Sequence, residues 1–282
     1  MDELRLSFEF FPPKTDVGRE KLKDTRRSLN VLDPDFFSVT YGAGGSTREN
    51  TKGIIREMKG EGMKVAPHLS FGGADEESML ELLSDYKAMG VDRIVALRGD
   101  RPSGFGGSAH LAHASELVEF IRKHFGSHFH LEVASYPEIH PEANNYDSDV
   151  SFLKAKFDAG ADSAITQYFF NPDAYCYFVE ACKKIGIDKP IYPGIMPITN
   201  YRNLARFSDS CGAEIPRWVR KKLEALEDDS AGLIAFGIDL ITELCEVLLD
   251  NEAPGLHFYT MNQVEPTATI VNNLGLETVQ GD

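Results

Sequence analysis

The segment LRLSFEFFPPK, residues 4–14, predicts the strand around which the rest of the chain is arranged. Its apolar, strand-forming residues carry one carboxylate, Glu9, and the run stops at Pro12 and Pro13. Proline has no backbone N–H to donate to a sheet and forces the residue before it into an extended conformation. Glu9 is therefore expected near the C-terminal end of a buried strand. A carboxylate at such a position either forms a structural ion pair with a lysine or arginine or has a functional role.

Composition and charge narrow the class of protein. The 282 residues, 42% of them hydrophobic, suffice for one large α/β domain or two small ones. The net charge of −15 argues against nucleic acid and against an anionic membrane surface as partners, because both require basic patches. The four cysteines show neither a CxxC pair nor metal-like spacing, and the sequence contains no signal peptide or transmembrane run. We therefore expect a cytoplasmic protein with reduced thiols and no membrane partner.

Strand-like and helix-like segments alternate along the whole sequence, in about eight βα repeats with no linker between them. This pattern predicts an α/β fold, a TIM (β/α)8 barrel that occupies residues 1–282 as a single domain. A doubly wound open sheet is the alternative. The polar residues at or just after the strand ends favour the barrel, because the C-terminal ends of barrel strands converge on one mouth. These residues are Glu9, Thr40, Tyr41, His68, Arg98, Asp100, Tyr136 and Gln167.

The sequence lacks the common motifs for nucleotide and metal binding. No GxGxxG lies between a strand and a helix, there is no Walker lysine, and the histidines form no HExxH or similar array. The glycine-rich turns at residues 42–45 and 104–107 either cradle a phosphate or serve only as turns. His68 and His140 are likewise open between a structural role and a ligand contact. We expect no metal site.

Two carboxylates, Glu9 and Asp100, are expected at the mouth together with amide and aromatic side chains. Carboxylates that share a cavity raise each other's pKa, so that one stays protonated and acts as an acid near neutral pH. Aromatic walls with few polar groups suit a flat heterocycle. The aromatic residues expected there are Tyr41, Tyr136, Phe169, Phe170 and Phe207. The residues alone thus predict acid catalysis on a planar, nitrogen-containing ligand.

Nine short strings, in order along the chain, extend this interpretation. They are SFEFFPPK at 7–14, SVTYGA at 38–43, APHL at 66–69, VALRGD at 95–100, YPEIHPEA at 136–143, DAGA at 158–161, ITQYFF at 165–170, PGIMP at 193–197 and HFYTMN at 257–262. Through them the chain resembles the bacterial methylenetetrahydrofolate reductases over essentially its whole length. The resemblance implies a barrel with FAD at its mouth, and a homo-oligomer. It also implies ping-pong reduction of 5,10-methylenetetrahydrofolate to 5-methyltetrahydrofolate by NADH or NADPH, which supplies methyl groups for methionine synthesis.

The resemblance assigns roles to matching positions. Glu9 matches the general acid of the folate step, a task for which burial beside Asp100 is expected to raise its pKa. Asp100 matches a carboxylate near both flavin and pterin, Gln167 an amide that binds folate and then nicotinamide, and Phe207 an aromatic that stacks on either ligand. Further folate contacts are implied for Asn203 and Gln263. Flavin contacts are implied for Thr40, Tyr41, Ala43, His68, Arg98, Gly99, Asp100, Ala114, Tyr136, His140, Ala143, Asp149 and Lys156.

Five positions depart from the family pattern, and one of them is His113, which replaces a tyrosine near Ala114. Phe152 and Ala155 stand where enterobacterial members carry polar FAD contacts, and Asn203 and Gln263 replace a glutamine and an arginine at the folate site. The expected consequence is a change in FAD affinity and polyglutamate handling rather than in the chemistry. Two other functions share the same residues. One is a folate-binding barrel that transfers one-carbon groups without redox chemistry, and the other is a non-catalytic subunit of a larger electron-transfer assembly.

Overall fold

The fold is a closed barrel of parallel strands. A computed structural model describes residues 4–41, 48–71, 75–98 and 113–276. Within these ranges each strand pairs in parallel with the next, and the last pairs with the first to close the sheet. The strands are β1 (Arg5–Phe10), β2 (Phe36–Val39), β3 (Val65–Leu69), β4 (Arg93–Ala96), β5 (His130–Ser135), β6 (Ser163–Tyr168), β7 (Ile191–Ile195) and β8 (Gly255–Tyr259). The TIM-barrel prediction is confirmed, and the open sheet is excluded.

Helices follow the strands and begin at capping side chains. Thr15, Asp75 and Asn200 each accept a hydrogen bond from a backbone N–H of the helix that follows them. None of the helices in the described ranges combines the length and apolarity needed to cross a membrane. The described helices are α1 (Asp16–Asn30), α2 (Arg48–Gly60), α3 (Glu76–Ala88), α4 (Ala114–Phe125), α5 (Tyr146–Asp158), α6 (Pro172–Lys184), α7 (Tyr201–Cys211), α8 (Arg217–Ala225), α9 (Ser230–Asp250) and α10 (Thr267–Asn273).

Side chains alternate between two environments along β1. Phe8 and Phe10 are fully buried in the large core that the strands form with the helices. Burial of a phenylalanine side chain contributes about 1.5–3 kcal/mol, so this layer fixes which face of the strand turns outward. Ser7 and Glu9, which alternate with them, consequently face the barrel interior. A separate apolar cluster fills that interior and consists of Phe36, Ala66, Val95, Ile165 and Tyr192.

A buried ionic network lies towards the N-terminal ends of β4, β5 and β6. Glu132 has no exposed surface, and its carboxylate pairs with Arg93. The hydroxyl of Ser163 donates to Glu132 Oε2 at 2.5 Å, and His130 Nε2 lies 3.2 Å from Oε1. Removing one partner from a pair of this kind leaves an uncompensated buried charge, which is strongly destabilising. Glu132 therefore has the charged and hydrogen-bonding partners that a buried carboxylate needs to form a structural ion pair.

Three helices, α7 to α9, stand between β7 and β8, where a barrel repeat needs only one. Gly212 caps α7 at its C-terminal end, with a φ of 77° in the left-handed region that favours glycine. A side chain on Gly212 would come within 3.0 Å of Pro141, in the loop after β5. The thiol of Cys211 lies 3.5 Å from the hydroxyl of Tyr168, at the end of β6. α7 therefore lies at the mouth, beside the C-terminal ends of β5 and β6.

Candidate active site

A cavity of about 510 Å3 opens at the C-terminal mouth of the barrel. This volume is in the range of small-molecule sites. The wall brings together many of the strand-end residues expected from the sequence: Glu9, Thr40, Tyr41, His68, Arg98, Tyr136, Gln167 and Phe207. The remaining wall residues are Leu69, Ser70, Val95, Leu97, Ala134, Ile165, Tyr168, Met196, Ser210, Cys211, Tyr259 and Met261.

Glu9 lies among two histidines and a serine at the base of this cavity. The hydroxyl of Ser38 donates to Glu9 Oε2 at 3.3 Å, and the same oxygen lies 3.4 Å from His257 Nε2 and 3.2 Å from His68 Nε2. On its far side His257 Nδ1 lies 2.7 Å from the hydroxyl of Ser7. Although carboxylate and imidazole groups meet here, no set of side chains in the described ranges is arranged to hold a metal ion. Ser7, His257 and Glu9 thus form a row of polar side chains along which a proton can pass.

The electrostatics of Glu9 differ from the expectation. Burial raises the pKa of its carboxyl, but His68, mainly through its charge, and His257, through a hydrogen bond and its charge, outweigh burial and lower it to about 2. The expectation of a pKa raised by burial is therefore wrong for this arrangement. Glu9 pairs with histidines and not with the lysine or arginine of a structural ion pair, as far as the described residues show. Asp100, the expected second carboxylate, lies outside the described residues.

Two buried polar atoms on the cavity wall lack a hydrogen-bond partner within the described part of the chain. They are Thr40 Oγ1 and His68 Nε2, the latter because its approach to Glu9 is not aligned as a hydrogen bond. Buried polar atoms in native proteins are almost always paired with protein, water or ligand. An unpaired hydroxyl and an unpaired ring nitrogen in the wall of one cavity indicate a place where a polar ligand binds.

Gln167 presents a donor to the cavity. Its side-chain oxygen accepts a hydrogen bond from the backbone N–H of Tyr168 at 3.0 Å, which leaves the NH2 group for a ligand. Gln167 lies in a bulge, because β6 shifts its register against β7 between Ile165 and Tyr168. Bulges of this kind re-aim side chains next to active sites. The amide is thus held in one orientation by the strand that carries it.

A group of charged residues surrounds the side of the mouth near β4 and β5. Arg98 pairs with Glu142. The Lys156 ammonium donates to the backbone oxygen of Ala134 at 2.7 Å. Burial lowers the pKa of Lys156 to about 8, and Asp149 opposes that shift while Arg98 adds to it. Two cationic side chains close together would attract an anion such as a phosphate group.

Other expected site residues fall around the cavity or outside it. His140 and Asp149 are joined by a hydrogen bond of 2.8 Å from the His140 N–H. Asn203 receives a hydrogen bond from Arg206 at 3.3 Å. Several expected residues are not part of the cavity wall, namely Ala114, His140, Ala143, Asp149, Lys156, Asn203 and Gln263. Ala43 and Gly99, like Asp100, lie outside the described residues.

The aromatic wall differs from the expectation at two positions. Phe169 and Phe170 are buried in the core, and the ring of Phe169 stacks on that of Tyr175 at a centroid distance of 5.7 Å. Tyr259 takes a place in the wall that the sequence interpretation did not assign, and its ring is 5.3 Å from that of His257. The aromatic rings that line the mouth are therefore those of tyrosines and Phe207, and not those of Phe169 and Phe170.

His257 is the main residue that sequence reasoning missed. It is 248 residues from Glu9 in the chain and reaches it only because β8 pairs with β1. The parallel register places Ser7 opposite His257 and Glu9 opposite Tyr259. The signal was the alternation of polar and apolar residues in HFY at 257–259, which matches SFE at 7–9 once the two strands are aligned.

Comparison with known proteins places this geometry in a family. The sequence profile of the family described as methylenetetrahydrofolate reductase matches residues 1–275. The chain is 37% identical to the 5,10-methylenetetrahydrofolate reductase of Escherichia coli (strain K12) over 275 residues, which cover 97% of this chain and 92% of that protein. Identity to the enzyme of the same name from Buchnera aphidicola is 38% over 276 residues, 98% of this chain and 93% of that one.

A plant protein and a solved structure are also similar. The chain is 38% identical to methylenetetrahydrofolate reductase (NADH) 1 of Arabidopsis thaliana over 284 residues, which cover 96% of this chain and 48% of the plant protein. A Clostridium thermocellum protein, solved with two copies of 5-methyl-5,6,7,8-tetrahydrofolic acid, has a TM-score of 0.63 at 19% identity, with 97% of this chain and 93% of that chain covered. At that identity the likeness concerns the fold alone.

Proposed function

Because the chain belongs to the methylenetetrahydrofolate reductase family and is an oxidoreductase, we propose that it uses FAD and NADH to reduce 5,10-methylenetetrahydrofolate to 5-methyltetrahydrofolate. The product would supply methyl groups for methionine synthesis. The observation that carries the proposal is a carboxylate held between two histidines in a cavity of about 510 Å3 at the barrel mouth. The net charge of −15 supports a small-molecule function over nucleic-acid binding.

The reaction requires one hydride and one proton at different atoms of the folate. The methylene carbon bridges N5 and N10, and its bond to N10 breaks as N10 receives the proton. The resulting N5 iminium cation then accepts the hydride. In this proposal Glu9 gives the proton to N10, and the carboxylate that remains stabilises the cation electrostatically. NADH and one proton are consumed for each 5-methyltetrahydrofolate formed.

The histidines supply Glu9 with that proton. His257 Nε2 is 3.4 Å from Glu9, and His257 Nδ1 is 2.7 Å from Ser7. Burial raises the pKa of Glu9, but the contacts with the two histidines outweigh burial and lower it to about 2. Glu9 is therefore ionised near neutral pH, and in this proposal it receives a proton through its histidine contacts and passes it to the folate. Coupled groups of this kind share their protons as one unit.

The wall residues fit a flavin. FAD, when bound, supplies the redox chemistry that passes a hydride from the nicotinamide to the folate. Thr40 Oγ1 and His68 Nε2 are buried without partners, and the polar edge of a flavin ring would satisfy them. Arg98 and Lys156 offer cationic contacts for the diphosphate. Phe152 is 53% exposed on α5, so its side chain does not block this region.

NADH is our choice of electron donor because plant relatives are named as NADH enzymes. We extend the proposal to a cytoplasmic homo-oligomer in which residues 1–282 form a single domain, as the resemblance implies. Arg98, Lys156, His140 and Asp149 would hold the flavin, with Ala43, Gly99, Asp100, Ala114 and Ala143 completing its contacts. Gln167, Phe207, Asn203 and Gln263 would contact the folate.

One anaerobic experiment tests the proposed function. The purified protein, reconstituted with FAD, should be yellow, should bleach on addition of NADH, and should regain its colour when 5,10-methylenetetrahydrofolate is added. NADPH serves as the comparison donor. A protein that binds no added FAD would contradict the proposal. Folate binding without consumption of NADH would instead indicate a non-redox one-carbon transferase, and turnover only with an added partner would indicate a subunit of a larger assembly.

A further inference from the structure

Tyr168 joins the barrel to the helix at its mouth. It is the last residue of β6 and is 3% exposed. Its hydroxyl lies 3.0 Å from that of Ser208, and the Cys211 thiol donates to the same oxygen at 3.5 Å. Both partners belong to α7. One phenol therefore holds two positions of α7, one turn of the helix apart, against the end of one strand.

The same residue also holds the amide that faces the cavity. The Tyr168 N–H donates to the side-chain oxygen of Gln167 at 3.0 Å. The bulge that carries both residues is closed on its other side by Tyr259, whose hydroxyl donates to the backbone oxygen of Thr166 at 2.7 Å. The Thr166 hydroxyl in turn accepts a hydrogen bond from the Gly194 N–H at 2.9 Å. Backbone groups that the bulge removes from the β6–β7 ladder are thus satisfied by side chains.

Phe207 lies on the helix that Tyr168 holds. It is adjacent to Ser208 in sequence and forms part of the cavity wall, as Gln167 does. The other end of α7 is attached to α8, because the Tyr201 hydroxyl donates to Glu224 at 3.2 Å and Arg202 pairs with Glu227, just beyond α8. The helix that carries Phe207 is therefore held by α8 and the residues after it at its N-terminal end, and by a buried hydrogen bond to Tyr168 of the barrel near its C-terminal end.

We infer that Tyr168 is a positioning residue that sets the separation between the Phe207 ring and the Gln167 amide. The inference rests on the proposed function. A planar nitrogen heterocycle, pterin or nicotinamide in turn, would stack on Phe207 while its polar edge binds the Gln167 NH2 group. The Phe207 ring depends on the Tyr168 phenol through α7, whereas the Gln167 amide is held by the Tyr168 backbone N–H. Loss of the hydroxyl therefore shifts the ring relative to the amide and weakens ligand binding without touching the proton path at Glu9.

The variant Tyr168→Phe tests this, with Tyr175→Phe as its matched control. Tyr175 lies on α6, is not part of the cavity wall, and is also 3% exposed. Its hydroxyl donates one buried hydrogen bond, to the backbone oxygen of Ile191 at 2.7 Å. For Tyr168→Phe we expect the Kd of 5-methyltetrahydrofolate and the KM values of both substrates to rise about fivefold, the effect of one hydrogen bond. The kcat should stay within about twofold. Tyr175→Phe should lower Tm and leave Kd and KM unchanged.

Ser208→Ala removes the same bond from the helix side and covers the case in which Tyr168→Phe does not fold. It should raise Kd by no more than Tyr168→Phe does, because the contact between the phenol and Cys211 remains. The double variant should give the same Kd as Tyr168→Phe alone, since the bond to Ser208 is already lost there. An unchanged Kd in both single variants, an equal rise in Tyr175→Phe, or additive effects would overturn the inference. A wild-type protein that binds 5-methyltetrahydrofolate but never oxidises NADH would defeat the proposed function and leave this test measurable through Kd.

Discussion

Glu9 combines burial, which alone favours the neutral acid, with two histidines that favour the carboxylate. Since the histidines determine the outcome, replacing His257 by Asn should raise the pKa of Glu9 from about 2. At pH 4 the wild-type carboxyl is then ionised and the variant's is partly protonated. Infrared difference spectra should show a protonated-carboxyl band for His257→Asn minus His257→Asn/Glu9→Gln. The wild type minus Glu9→Gln should show none, and equal bands in both pairs would contradict the assignment.

Glu9→Gln separates the two halves of the reaction. Glutamine keeps the shape and one hydrogen-bond acceptor, but it has no proton to give to N10. NADH-dependent bleaching of the flavin should continue at nearly the wild-type rate, because that step needs no acid. Reoxidation by 5,10-methylenetetrahydrofolate should fall by about a hundredfold to ten-thousandfold, the usual effect of general acid catalysis. Stopped-flow absorbance of each half-reaction measures both, and an equal loss in the two steps would mean that Glu9 has a structural role.

At the scale of single residues, the sequence was sufficient where function follows strand position. Glu9, His68 and Gln167 are at strand ends, and the C-terminal ends of barrel strands meet at one mouth whatever the details of packing. The sign of the Glu9 pKa was not predictable in the same way. It depends on His68 first and then on His257, and His257, 248 residues away in the chain, becomes a neighbour only through closure of the barrel.

Among the elements, the pair β6 and β7 departs most from a regular ladder, and Gly194 marks the departure. A side chain there would overlap the backbone oxygen of Thr166 and come within 2.7 Å of the Tyr259 ring. Gly194→Ala should therefore destabilise the protein by about 1–3 kcal/mol, as overpacking does. Urea unfolding followed by circular dichroism gives the free energy of unfolding.

Gly53→Ala is the control for that measurement. Gly53 lies inside α2 with nothing within 4 Å of an added Cβ, so the substitution only removes backbone freedom from the unfolded chain. It should stabilise the protein by about 0.5–1 kcal/mol, opposite in sign to Gly194→Ala. If both substitutions had the same sign, the close contact at Gly194 would not be the cause of the effect there.

The elements themselves were largely readable from the sequence, and the exceptions have physical reasons. Strands and helices follow one another in the expected βα order because proline, glycine and capping side chains act locally. Phe169 and Phe170 are expected at the mouth because they follow a strand end, yet after the bulge their rings are buried in the core. This bulge has no local sequence signal, because the residue that completes its hydrogen bonds is Tyr259, 91 residues after Tyr168 in the chain.

At the scale of the molecule, the site exists only when the barrel is closed. Glu9 comes from β1, His68 from β3, Gln167 from β6 and His257 from β8, so no fragment of the chain contains the whole proton path. The three helices between β7 and β8 form the α7–α9 insertion, which also contacts this sheet. α9 approaches the segment after β7 so closely that a side chain on Gly237 would come within 2.9 Å of Ile198. These contacts predict that insertion and barrel unfold together.

The single tryptophan allows that prediction to be tested. Trp218 lies on α8, and its ring packs edge-on against Phe236 of α9 at 6.3 Å, so its fluorescence reports on the insertion alone. Far-UV circular dichroism reports on all the helices. If residues 1–282 form one cooperative domain, the two urea transitions should share one midpoint and one slope. A fluorescence transition at lower urea would show that α7–α9 unfold separately, and Phe207 would then be carried by a unit that opens independently of the catalytic strands.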